Sequence, residues 1–166
     1  MAIWQFSLYL IPNGSIKERF EQPPSKLSME VAEDTPWWSG HQPQRDFEDA
    51  ISAILPEAHS WSKSMRIWGV ERSDSILVSY RTEERIEVEE IEVRIDASNL
   101  SGEFVLHVCK WIEMLDCLCR TKAYDVVLPD VAGVQAAIAN SRAMKFIENP
   151  VKTLQGLKNE EFEGTV

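Results

Sequence analysis

Residues 65–96 read MRIWGVERSDSILVSYRTEERIEVEEIEVRID. Three apolar-alternating runs, Met65–Val70, Ile76–Tyr80 and Ile86–Ile95, are separated by the polar stretches Arg72–Ser75 and Arg81–Arg85, and no proline interrupts them. Alternation with a period of two sends successive side chains to opposite faces of a strand. The pattern therefore predicts an antiparallel meander with one buried face and one wet face. In the middle run Ile76, Val78 and Tyr80 alternate without a break. In the third, Ile86 and Val88 occupy even positions, whereas Ile91, Val93 and Ile95 occupy odd ones. A regular strand would carry its apolar set from core to water between Val88 and Ile91. A β-bulge or sharp break is therefore expected at Glu89-Glu90, where one extra residue restores the inward face.

The stretch Ala2–Ile11 is rich in aromatic and β-branched residues and reads as a further strand. Trp4, Phe6, Leu8 and Leu10 make one face wholly apolar, which places it inside the sheet rather than at an edge. Pro12-Asn13-Gly14 ends it with turn chemistry. A short helix is expected over Lys26–Glu33, with Ser25 as its N-cap. Phe47, Ala50, Ile51, Ile54 and Leu55 step by three and four and share one helix face. Asp46 stands at the start of that helix, Asp49 makes its first turn negative, and Pro56 stops it. The longest helix is expected over Gly102–Cys119, capped by Asn99 or Ser101, with Phe104, Val108, Trp111, Leu115 and Leu118 as its stripe. A short strand follows at Tyr124–Leu128, then a small-residue helix at Ala132–Asn140. Ser141–Glu148 either continues that helix or forms a separate turn. Val151–Leu157 reads as a weak helical piece and Lys158–Val166 as a frayed polar tail. Together these predict a single α+β domain over 1–166, its mostly antiparallel sheet of about five strands covered by helices mainly on one face.

A length of 166 residues is enough to bury a core without disulfides or metal. Acidic residues outnumber basic ones 27 to 17, for a net charge of −10. A field of that sign repels phosphate backbones, and no local basic patch offsets it, so nucleic acid is not the expected partner. A basic protein or a cationic ligand is the better electrostatic match. No apolar run approaches the roughly 18 residues of a membrane span, and no charged-then-apolar leader opens the chain. Cys109, Cys117 and Cys119 form an odd set along the predicted long helix and its end, expected as reduced thiols in a cytoplasmic protein.

Signatures for catalysis are sparse. His107 and Cys109 stand two apart on a predicted helix and point away from each other, and Cys-x-Cys is not a zinc-knuckle spacing. No glycine-flanked nucleophile elbow, phosphate loop or dinucleotide fingerprint can be drawn, so no cofactor is expected. Two features remain. The first is Trp37-Trp38, followed by Gly40 and His41. Adjacent side chains cannot both face one core on a strand, so one indole is expected to be exposed or half exposed. It then serves either as a lid over an apolar patch or as an aromatic anchor for a partner. The second is the acidic run holding Glu83, Glu84, Glu87, Glu89, Glu90, Glu92 and Asp96, offset only by Arg81, Arg85 and Arg94. It is either a solvated face with cross-strand ion pairs or a surface that steers a basic partner.

The stretches WWSGHQP with RDFEDAISAILP, SWSKSMRIWGVERSDSILVSY, EEIEVRID and SRAMKFIENP resemble a group of small uncharacterised bacterial proteins. The likeness lies in the order and spacing of tryptophans, glycine and the RID tripeptide, and proteins of this character resemble immunity proteins of bacterial toxin systems. The net charge of −10, the lack of catalytic motifs and the paired tryptophans point to a cytoplasmic, non-catalytic binding protein. An immunity protein that neutralises a cognate basic toxin by direct contact is the form expected, and no site residue carries over from the resemblance. The contact residues expected are Trp37 or Trp38 with Glu87, Glu89 and Glu92. The competing expectation is a small hydrolase-like enzyme with a cleft near His41, Trp38 and His59.

Overall fold

The computed structural model describes residues 2–163, with side chains described from 2 to 156. Among them seven strands form one antiparallel sheet, ordered β2-β3-β4-β5-β1-β6-β7. The strands are β1 (Gln5–Pro12), β2 (Glu57–Ala58), β3 (Met65–Gly69), β4 (Ser75–Tyr80), β5 (Val88–Asp96), β6 (Cys117–Arg120) and β7 (Val126–Val127). The helices are α1 (Asn13–Lys17), α2 (Met29–Asp34), α3 (Phe47–Ile54), α4 (Gly102–Met114), α5 (Val131–Ala139), α6 (Arg142–Glu148) and α7 (Pro150–Glu163). The class is α+β, as the pattern predicts.

The meander is present as β3, β4 and β5. Ser79 pairs with Glu90 but Tyr80 pairs with Val88, so Glu89 is the extra residue of a bulge. It lies within the pair where the parity of the apolar residues breaks. The bulge turns Val88 inward alongside Ile91, Val93 and Ile95, all of them buried. Ile86 falls outside the strand and is 79% exposed. Strand β1 lies between β5 and β6, inside the sheet as its apolar face requires.

Phe6 and Leu8 of β1, Ile76 and Val78 of β4 and the apolar residues of β5 belong to one core. Ile51 of α3, Phe104, Val108 and Ile112 of α4, and Ile138 of α5 complete it. Full burial of each such side chain contributes about 1.5–3 kcal/mol. The alternate positions point the other way and bring Ser7, Tyr9, Glu92 and Arg94 side by side on the opposite face.

The sheet exceeds the expected five strands by β2 and β6. Residues Cys117–Arg120 are not the end of the long helix: α4 stops at Met114, and Asp116 adopts a positive φ of 53°. That left-handed residue reverses the chain, and Cys117 to Arg120 pair with Pro12 to Tyr9. Cys117 and Cys119 therefore sit on a buried strand, while Cys109 lies on α4. The helix caps differ in detail. Ser101 caps α4, Ser28 rather than Ser25 caps α2, and the Asp46 side chain makes no capping bond to α3. Ser141 accepts from Met144 N and starts α6 as a separate helix. The segment expected to fray is helical as far as Glu163; residues 164–166 lie outside the described residues.

Deleting Glu89 leaves Val88 inward, Glu90 outward and Ile91 inward, so the ladder becomes regular with its core face unchanged. The deletion variant is expected to keep its unfolding free energy, measured by urea titration, within about 1 kcal/mol of the parent. Ile91→Ala, which empties a fully buried site, is expected to cost about 2–5 kcal/mol in the same measurement.

Candidate functional site

Tyr9 marks a fork in the sheet. Strand β1 pairs with β5 from Gln5 to Tyr9, then continues to Pro12 paired only with β6. Beyond Tyr9 the flank of β1 that faced β5 lies open, and the bulged start of β5 stands across from it. A cavity of about 420 Å³ occupies this fork. Its walls come from Tyr9 to Ile11, from Val88 to Glu90, and from the segment Ala32–Ser39, with Arg120 also in the lining.

Trp37 and Trp38 close one wall, and both are buried, at 7% and 3% exposure. The expected exposed indole is absent because the pair lies in a turn after α2, not on a strand, so side chains need not alternate. The Trp37 Nε1–H donates to Ala32 O at 3.2 Å, which satisfies its polar end internally. Gln42 holds this wall against the sheet. Its Nε2 donates to Trp38 O at 2.7 Å and to Val88 O at 2.9 Å, while its Oε1 accepts from Val88 N at 2.7 Å. One side chain thus completes the hydrogen bonding of the first residue of β5.

The carboxylates of the acidic run divide among three environments. Glu89 lies in the bulge, exposed, on the cavity wall with Glu90. Glu87 is also exposed but sits 3.3 Å from Arg81 Nη1. Glu92 is buried at 7% exposure and accepts hydrogen bonds from Ser7 Oγ at 2.8 Å, Tyr9 Oη at 3.3 Å and Arg94 Nη2 at 2.9 Å. Burial alone would raise its pKa, but the hydrogen bonds from Arg94 and Ser7 outweigh it and hold the carboxyl below its ordinary range. Glu92 is thus a buried anion within the sheet, and the single acidic face expected from Glu87, Glu89 and Glu92 does not form. Glu33 and Asp34, which end α2, join Glu89 and Glu90 around the cavity instead.

Arg120 and Arg81 are the cations of the cavity lining. The register of Arg120 opposite Tyr9 places its guanidinium 4.3 Å from the Tyr9 ring centroid and 5.9 Å from that of Tyr124. The side chain is buried, and its nearest ion-pair partner, Glu33 Oε1, is 3.7 Å from Nη2. Burial, together with Glu92 and Glu90, pushes the Tyr9 phenol far above its ordinary pKa, so it remains a neutral donor.

The histidines do not converge on this cavity. His41 Nε2 is 2.9 Å from Glu18 Oε1, and its ring lies against Gly14, where an added Cβ would come within 2.6 Å of Nδ1. His59 is exposed and lines a separate cavity with Trp61 and Arg66. The three buried thiols are raised, Cys109 to about 11 and Cys117 to about 12, mainly by burial. Among the described residues, no group of three or more His, Cys, Asp or Glu side chains is placed to hold a metal ion. No helix there is long and apolar enough to cross a membrane.

Comparison with protein-family models, with curated proteins and with solved structures finds no match. The structure brings together Trp37, Trp38 and Glu89 from the expected contact set, and adds Glu33, Asp34, Glu90, Tyr9 and Arg120. The added carboxylates were visible as charge in the sequence. Arg120 carried no signal there, because its place depends on pairing with β1.

Glu92 contributes stability above its unfolded-state pKa of about 4.5, and that contribution is lost as pH falls through the lower folded value. Glu92→Gln is expected to cost about 1–3 kcal/mol at pH 7. It should also flatten the acid limb of a urea-midpoint profile, so a parallel limb in parent and variant would refute the assignment.

Proposed function

We propose that this chain is a non-catalytic binding protein that meets a basic protein partner over the mouth of the forked cavity, as an immunity protein meets its toxin. The observation that carries this reading is the convergence of Glu33, Asp34, Glu89 and Glu90 around one aromatic-walled cavity, in a chain of net charge −10. Glu89 and Glu90 are exposed at the start of β5, and Glu33 and Asp34 are exposed at the end of α2. Two elements far apart in sequence thus present like charge at one place. Such clustering costs repulsion in the free protein, which a basic partner relieves on docking. The buried indoles give the mouth a rigid wall, and rigid walls lower the ordering cost of association.

Coexpression with the product of the adjacent gene in its own genome tests this reading directly. A stable complex on size exclusion, with rescue of growth if that product is toxic, is the expected result. Glu89→Gln with Glu90→Gln should weaken the complex by about tenfold at low salt, mainly by slowing association, with a smaller loss at high salt. A partner that neither binds nor is neutralised, or a complex indifferent to both substitutions and to salt, would remove the proposal.

A further inference from the structure

The charge of Arg120 is met only loosely, by Glu33 and by the rings of Tyr9 and Tyr124. The residue is 6% exposed, yet its Nε has no hydrogen-bond acceptor. The 3.7 Å contact from Nη2 to Glu33 is beyond hydrogen-bond range. Arg94 on β5 also has an Nε without an acceptor, but its Nη2 is 2.9 Å from the Glu92 carboxylate, a close charged contact that Arg120 lacks. A buried guanidinium without hydrogen-bonded acceptors is costly, and buried charges are ordinarily paired. Arg120 is nonetheless held firmly, by its backbone register between Tyr9 and Val126 and by the rings of Tyr9 and Tyr124. It lines the cavity, whose size suits a small organic ligand.

We propose that the cavity is a binding site for a carboxylate whose molecule also carries a cationic group, with Arg120 as the carboxylate's anchor. A planar guanidinium takes a carboxylate through paired hydrogen bonds, and its fork is here already oriented. The charges around it favour a ligand of mixed charge over a bare anion. Glu33, Asp34, Glu89 and Glu90 repel a bare anion at the mouth, whereas Arg120 repels a bare cation in the interior. Arg81, also in the lining, is already placed against Glu87. A zwitterionic ligand of basic amino-acid type satisfies both sets, its carboxylate on Arg120 and its cation among the rim carboxylates. The same chemistry is present in a free basic amino acid and in the C-terminal residue of a chain ending in arginine or lysine. The site stands on Arg120 and does not require the protein partner proposed above, so loss of either reading leaves the other standing.

Titration of the full chain with L-arginine, followed by intrinsic fluorescence and calorimetry, tests it, because Trp37 and Trp38 line the cavity. Saturable binding of L-arginine is expected, about tenfold or more tighter than that of agmatine, which lacks the carboxylate, or of propionate, which lacks the cation. Arg120→Lys keeps the charge but not the fork and should lose about tenfold in affinity with the urea midpoint little changed. If that variant does not fold, Glu89→Gln with Glu90→Gln on the exposed rim decides the matter. It should weaken L-arginine and leave propionate unweakened. N-acetyl-L-arginine binding as tightly as L-arginine supports the site and assigns its ligand to a chain end; loss on acetylation supports it and assigns a free amino acid. Absence of saturable binding by either arginine probe, or agmatine binding as tightly as L-arginine, overturns the proposal.

Discussion

Strand β5 has one residue too many for its apolar face to be buried in regular register. Val88 and Ile91 are separated by two glutamates, so an unbulged ladder would put either Val88 or the Ile91–Ile95 set into water. The bulge at Glu89 resolves this conflict. It costs local ladder hydrogen bonding and increases the twist, and it sits where β5 stands across from β1 without pairing to it. The fork between β1 and β5, and hence the cavity within it, lies beside this accommodation.

The same fork explains why an aromatic pair is buried in a turn. An unpaired flank of a central strand leaves apolar surface and backbone groups to cover. Trp37 and Trp38 supply area at this end, and Gln42 supplies donors and an acceptor where another strand would have done so. Burial of both indoles makes them wall rather than anchor. What remains presented to solvent at the mouth is charge, from α2 and from the bulge.

Two arginines on the polar side of the sheet differ in how their charge is met. Arg94 Nη2 is hydrogen-bonded to Glu92, whose carboxyl also takes the Ser7 and Tyr9 hydroxyls, although Arg94 Nε, like that of Arg120, has no acceptor. Arg120 is fixed by stacking and register but has no hydrogen-bonded counter-ion. A hydrogen-bonded ion pair stabilises one arrangement of strands. A guanidinium without one is a local cost that a ligand can relieve.

The sequence by itself determined the α+β class, the meander, the interior position of β1, the helix at Phe47–Ile54 and the location of the bulge. Each follows from side-chain periodicity, which is a local property of the chain. It also carried the acidic excess, but not its arrangement. Periodicity suggested helix as far as Cys119, and only a left-handed Asp116 with a free β1 edge converts Cys117–Arg120 to strand. The burial of Glu92, the burial of both tryptophans and the meeting of Glu33 with Glu89 were likewise decided by tertiary structure. All of them depend on which strand lies beside which, and pairing between residues distant in sequence leaves no mark in the local pattern.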